Sequence, residues 1–132
     1  MNKNHSIPLS TLLQLPPPAE NIWLQELRQF ILANLTADEF DVPKLANLLQ
    51  MSPRSLYYKV KKLTDFSPAK YINELRLQKA AQLLQNQSYL TVSEVCYAVG
   101  FQKPAYFSLL FKRQFGVLPS SLLRKGGRFP IQ

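Results

Sequence analysis

The chain repeats itself. Val42, Leu45, Leu49 and Met51 return as Val92, Val95, Val99 and Phe101, fifty residues on. Leu56, Val60, Lys61 and Pro68 return as Phe107, Phe111, Lys112 and Pro119, fifty-one residues on. One residue has been added in the second turn. A repeat in register over this length restricts the fold to one supersecondary unit used twice.

Each copy has the same parts. In the first, Asp41 caps a helix over 42–49, and Pro43 sits in its first turn, where a missing N–H costs little. Val42, Leu45, Ala46 and Leu49 face inward. Ser52 then offers its hydroxyl to the free N–H groups of a second helix, with Pro53 at the first helical position. Leu56, Val60 and Leu63 recur at helical spacing as a core stripe. In the second copy, Thr91 and Glu94 form a capping box. Val92, Val95, Cys96 and Val99 face inward, and Gly100 supplies a tight turn at positive φ. A helix over 104–115 presents Phe107, Leu110, Phe111 and Phe115 on one side. Helix, tight turn, helix is the physical description of a helix-turn-helix.

The rest of the chain frames these copies. A helix from Glu20 through Asn34 carries Ile22, Trp23, Leu27, Phe30, Ile31 and Ala33 as its stripe, with Glu20 and Glu26 suited to the N-terminal dipole. Ser67 and Pro68 open the longest helix, 68–87, whose buried side is Tyr71, Ile72, Leu75, Ala80, Leu83 and Leu84. At 1.5 Å per residue it spans roughly 30 Å. Pro119 starts a short last helix. Residues 1–18, with Pro8 and the run Pro16, Pro17 and Pro18, read as a flexible arm or linker in which the triple proline is a stiff stretch and His5 is a solvated side chain. Residues 126–132 read as a loose tail. No strand-like alternation of useful length occurs. The expected fold is therefore all-α, with about seven helices. Two helix-turn-helix subdomains, 19–67 and 88–125, are joined by the linker helix 68–87.

Charge singles out the second helix of each copy. The chain holds 16 basic and 8 acidic residues, a net +8 with a pI near 9.8. Residues 19–49 carry five acidic and two basic side chains, whereas residues 50–80 carry seven basic and two acidic. Residues 103–128 carry six basic and none acidic. Such concentration favours a polyanionic partner. Cys96 is the one cysteine. It excludes an intramolecular disulfide and fits a reducing cytoplasm. It lies on an inward stripe with no neighbouring Lys, Arg or His in sequence, as a buried structural thiol does. No leader and no apolar run near 18 residues is present, which argues against export and membrane spanning. No His, Cys or carboxylate cluster has metal spacing, and no cofactor fingerprint occurs. With one arm histidine and one core cysteine the chain lacks the groups for general acid–base catalysis. The remaining alternative to a polyanion-binding role is a helical protein–protein interaction module with a basic face.

From Leu45-Ala46, MSPRSLYYKVK (51–61), SPAKYI (67–72), RLQKAAQLL (76–84), SEV (93–95), VGF (99–101), YFSLLFKRQFG (106–116) and Pro119-Ser120, the chain resembles the AraC/XylS family of bacterial transcription regulators. The resemblance covers about residues 22–124. The LYYKVKKLT stretch and the preceding Trp23 look most like the C-terminal DNA-binding output domains of hybrid two-component regulators of Bacteroidetes. Asp65 stands where the family often has glycine, a position that asks for a left-handed helix end. Leu118 replaces a capping Ser or Thr, so the last helix should start weakly. The resemblance implies double-stranded DNA and RNA polymerase as partners. The proline arm further favours an upstream sensor or receiver domain in a longer chain.

The major groove admits an α-helix and carries a full base code. Arg54, Tyr57 and Tyr58 are the outward residues of the first two turns of the first basic helix. They fall at the family's base-reading positions by resemblance. Pro104, Ala105, Ser108 and Leu109 occupy the corresponding face of the second, which is poor in hydrogen-bonding groups. Ser52, Ser55, Lys59, Lys61 and Lys62, with Lys103, Tyr106 and Lys112, are expected to hold phosphates, which position without specifying. Sequence reading should thus be uneven between the copies. The linker helix is close in length to the ~34 Å of one DNA turn, so one chain could reach successive major grooves.

Overall fold

The computed structural model describes residues 19–36, 40–86 and 91–123. The arm with His5, the end of the long helix at Gln87 and the tail lie outside the described residues, as does the side chain of Glu20. Six α-helices follow in order: α1 (Ala19–Ala33), α2 (Val42–Leu48), α3 (Pro53–Thr64), α4 (Pro68–Asn86), α5 (Val92–Ala98) and α6 (Pro104–Phe115). A single 3-10 turn (Pro119–Leu122) closes the series. No strand occurs among the described residues.

The helix starts follow from local chemistry. The Asp41 carboxylate accepts from the Lys44 N–H at 3.0 Å, and the Ser52 hydroxyl accepts from the Ser55 N–H at 3.0 Å. Ser67 accepts from the Lys70 N–H at 3.2 Å. The Thr91 box is reciprocal: Glu94 N–H donates to Thr91 Oγ1 at 3.1 Å, and Thr91 N–H donates to Glu94 Oε1 at 2.8 Å. Lys103 and Leu118, at the starts of α6 and the final turn, make no side-chain cap bond. An uncapped start after Leu118 is followed by only one 3-10 turn, as a missing side-chain acceptor predicts. At the far ends, α3 stops on Asp65 (φ 69°) and α6 on Gly116 (φ 80°), both left-handed.

Two hydrophobic clusters share α4. The first unites Leu27, Ile31, Leu45, Leu56 and Val60 with Tyr71, Ile72 and Leu75 of α4. The second unites Val95, Cys96, Val99, Phe107 and Phe111 with Leu77, Ala80 and Leu84 of the same helix. The second is rich in aromatic contacts. Phe101 lies 5.3 Å from Phe107, Phe107 lies 5.8 Å from Phe111, and Phe111 lies 4.6 Å from Phe115, between ring centroids. Truncating a fully buried Leu or Phe of this kind typically costs on the order of 2–5 kcal/mol.

Some expected core positions differ. Ile22 and Ala33 are exposed, and α1 packs through the expected Trp23, Leu27, Phe30 and Ile31 together with Leu24, the burial continuing into Leu35 beyond the helix. The stripe turns because α1 must lie against both α3 and α4. Leu63 is half-buried beside the surface groove of its helix, Leu83 is half-buried at the edge of the second core, and Phe115 is 38% exposed despite its ring contact. Leu77, Leu35 and Phe40 are buried without having been expected from periodicity. Burial pushes the Cys96 thiol above its usual range, so the thiol is buried and protonated, as a structural cysteine is.

Candidate nucleic-acid interface

The two copies build the same turn. In the first, Gln50 N–H donates to the Asn47 carbonyl at 3.0 Å and Met51 N–H to the Ala46 carbonyl at 2.9 Å. In the second, Gly100 N–H donates to the Tyr97 carbonyl at 3.1 Å and Phe101 N–H to the Cys96 carbonyl at 3.0 Å. Both turns use a left-handed residue, Gln50 at φ 58° and Gly100 at φ 95°. Each then delivers a proline-started helix, α3 or α6, with its apolar side on its own cluster.

The outward face of α3 is ordered by its own side chains. Tyr57 is 42% and Tyr58 57% exposed, and their rings meet edge-on at 5.5 Å. The Arg54 guanidinium lies 5.2 Å from the Tyr58 ring centroid, within cation–π range. Arg54 itself is exposed. A groove of about 450 Å³ runs beside it, lined by Arg54, Ser55, Tyr58, Lys59, Lys62 and Leu63. Ser52 and Ser55 are exposed and hydrogen-bonded to each other at 3.0 Å. Lys61 is exposed, and its ammonium donates to the Asp65 carbonyl at 2.9 Å, where it also meets the negative end of the helix dipole. Lys59 is half-buried with its ammonium 4.3 Å from the Trp23 ring centroid. That contact ties α3 to α1, and it was not foreseen because residues 23 and 59 are far apart in sequence.

The outward face of α6 is plainer. Ala105 and Leu109 are exposed, Leu109 by 48%, and Ser108 is half-buried. Lys103 and Lys112 are exposed, and Tyr106 is 49% exposed with its ring 6.3 Å from Phe101. Lys112 and Arg113 together make the last turn of α6 basic, as Lys61 and Lys62 do for α3. Of the candidates, then, Arg54, Tyr57 and Tyr58 share one surface of α3, and Ala105, Leu109, Lys103, Tyr106 and Lys112 lie exposed on or beside α6.

One residue of this region carried no expected role. Arg76 falls midway along α4, between the last residue given to the first cluster, Leu75, and the first given to the second, Leu77. Its Nη2 donates to the carbonyls of Leu35 at 3.4 Å and Phe40 at 3.5 Å. Its Nε is buried with no hydrogen-bond partner among the described residues, and desolvation lowers its pKa from the usual arginine value. The signal was present in the sequence. Arg76 stands four residues from both Ile72 and Ala80, on the buried side of the helix, where a charge needs a reason.

A model of a helix-turn-helix domain matches residues 45–125, more than half of the chain. The chain belongs to the AraC/XylS family. The family comprises DNA-binding transcription regulators. Histidine kinase P4 of Formosa agariphila is 39% identical over 87 residues, covering 66% of this chain and 6% of that protein. The HTH-type transcriptional activator RhaS of Escherichia coli is 36% identical over 86 residues, covering 65% of this chain and 31% of that one. The chain therefore spans a third or less of the length of these curated relatives. Among solved structures, the C-terminal domain of AraT, a response regulator from Geobacillus stearothermophilus, aligns with a TM-score of 0.68 at 29% identity, over 76% of this chain and 83% of that one. The DNA-binding domain of the transcriptional factor AdpA, in complex with a target DNA, aligns with a TM-score of 0.66 at 32% identity, over 74% of this chain and 86% of that one. The likeness to AraC/XylS output domains of two-component regulators holds on both sequence and fold. No described helix is long and apolar enough to cross a membrane, and the described residues hold no group of His, Cys, Asp and Glu arranged to bind a metal.

Proposed function

We propose that this chain is the DNA-binding output portion of a longer transcription regulator, and that it places α3 and α6 in successive major grooves of one duplex. The observation that carries the reading is the pairing of two identical turns with two proline-started helices whose outer faces are exposed and cationic. Helix α3 does most of the reading: Arg54 addresses a guanine, and Tyr57 and Tyr58 contact neighbouring bases. Ser52, Ser55, Lys61 and Lys62 hold phosphates on either side, and Lys59 reaches a phosphate from its seat on Trp23. Helix α6 chiefly anchors, through Lys103, Tyr106 and Lys112. Ala105, Ser108 and Leu109 offer at most apolar contact to a thymine methyl and one hydroxyl.

The wider assembly belongs to the same proposal. An upstream sensor or receiver segment and RNA polymerase are the partners that fit, because the relatives include a histidine kinase and a response regulator. Such a chain works in the cytoplasm and carries out no catalysis of its own. The test is selection of bound sequences from random duplexes, followed by titration of the selected site. Specific, salt-dependent binding with a strongly constrained half and a weakly constrained half is the expected result. A basic interaction module would instead bind all duplexes alike. Lys112→Ala should weaken every sequence equally and reduce the salt slope by about one unit.

A further inference from the structure

The two hydrophobic clusters share no residue. They follow one another along α4, Tyr71–Leu75 feeding one and Leu77–Leu84 the other. A common helix fixes where each unit is attached. It does not by itself stop one unit from rocking against the other, because each packs on a different part of that helix. At the changeover stands Arg76. On one side its Nη2 reaches the Leu35 and Phe40 carbonyls, which belong to the stretch between α1 and α2. On the other side its guanidinium carbon lies 5.8 Å from the Phe101 ring centroid, in the turn of the second unit. Gly100 of that turn comes so close that an added Cβ would sit 2.1 Å from the Leu35 carbonyl oxygen and 2.9 Å from Arg76 Nε. The second turn is thus pressed against the first unit's backbone, with Arg76 wedged between.

We propose that Arg76 is a positioning residue for DNA recognition: it braces the Gly100–Phe101 turn of the second unit against the Leu35 and Phe40 carbonyls of the first, and so sets the spacing and rotation at which the two recognition helices meet the duplex. Only a long side chain with a planar fork and several donors spans this junction. The bonds to the carbonyls are long, so the brace works through several weak contacts acting together. Its consequence for binding rests on the reading that both units engage one DNA. Its consequence for the protein does not.

The test separates the two. Spin labels at exposed Gln29 of α1 and Gln114 of α6 report the distance between units, and labels at Gln85 and Gln114 report the second unit alone. Both pairs are introduced as cysteines in a Cys96→Ala background. In Arg76→Met the distance distribution between units should broaden by double electron–electron resonance while the distribution within the unit stays narrow. Arg76→Lys, with one donor group in place of the fork, should fall between, and it serves if Arg76→Met does not fold. On the selected DNA site, inserting one base pair between the half-sites shifts one groove by about 3.4 Å and should cost the parent protein about tenfold or more in affinity. The Arg76 variants should lose part of that discrimination. Unchanged width between units would overturn the brace, as would equal broadening of both pairs, which marks a general role in folding. Broadening with intact discrimination would overturn its part in DNA spacing. Broadening in a protein that shows no selective DNA binding would leave the brace standing and remove the functional reading instead.

Discussion

The two helix-turn-helix turns have the same hydrogen bonds and different freedom. The first puts Gln50 in the left-handed region, at φ 58°, with an exposed side chain. The second puts Gly100 there, at φ 95°, against the Leu35 carbonyl. A left-handed non-glycine residue costs roughly 1–2 kcal/mol, and the first unit carries it with the Gln50 side chain exposed. The second unit has no such latitude. The comparison teaches that one local geometry can be a matter of backbone preference in one copy and of tertiary contact in the other.

That contrast can be broken most severely at Gly100. Gly100→Ala combines a left-handed backbone with a clash against main chain, so a loss of about 3 kcal/mol or more in unfolding free energy is expected by thermal or denaturant melting. Gly116→Ala is the control. It shares the left-handed backbone, at φ 80°, but no atom lies within 4 Å of the added Cβ, so it should cost only about 1 kcal/mol. Comparable losses at the two glycines would mean that the Leu35 contact does not matter.

The next difference lies in reading. Arg54→Ala should relax preference at one base pair, by about 1–3 kcal/mol of discrimination, whereas Leu109→Ala should leave the selected sequence nearly unchanged. A binding-site profile altered more by Leu109→Ala than by Arg54→Ala would reverse the assignment of roles to α3 and α6. At the first turn, Gln50→Gly should stabilise the protein by about 1 kcal/mol, since it removes the left-handed penalty at an exposed side chain and gives back part of that gain as chain entropy. A lower melting temperature in that variant would show an unrecognised contact of the Gln50 side chain.

The smallest expected effects come from the helix starts. Ser52→Ala removes the cap of α3 and should cost about 1 kcal/mol, and Lys103→Ser should add a comparable amount by supplying the cap that α6 lacks. Both are read from melting in the absence of DNA. Stabilities that do not move in opposite directions would argue that the α6 start is satisfied in another way.

Much of this architecture was legible in the residues. The capping chemistry at Asp41, Ser52, Ser67 and Thr91 marks helix starts because a side-chain acceptor satisfies N–H groups that the helix itself cannot. The apolar spacing of Leu45 and Leu56, and of Val95, Phe107 and Phe111, identifies the core faces, and the repeat identifies the unit. The exposed faces of α3 and α6 could be named from the same periodicity. Less could be read where burial depends on elements distant in sequence. Ile22 fits a helical stripe as well as Leu24 does, and only the direction from which α3 and α4 approach α1 decides between them. Lys59 reads as one more surface cation until Trp23 arrives beneath it.

What the sequence determined by itself is therefore local: where helices begin, which side of each is apolar, and that one unit occurs twice with unequal outer faces. The first two depend on residues within about one helical turn of each other, and the repeat only on comparing such local patterns along the chain. The relation between the units was decided by tertiary structure alone. It rests on a carbonyl at residue 35, a guanidinium at residue 76 and a glycine at residue 100 meeting in space. A periodic pattern cannot encode that meeting, because backbone carbonyls have no sequence signature and the three positions belong to different elements.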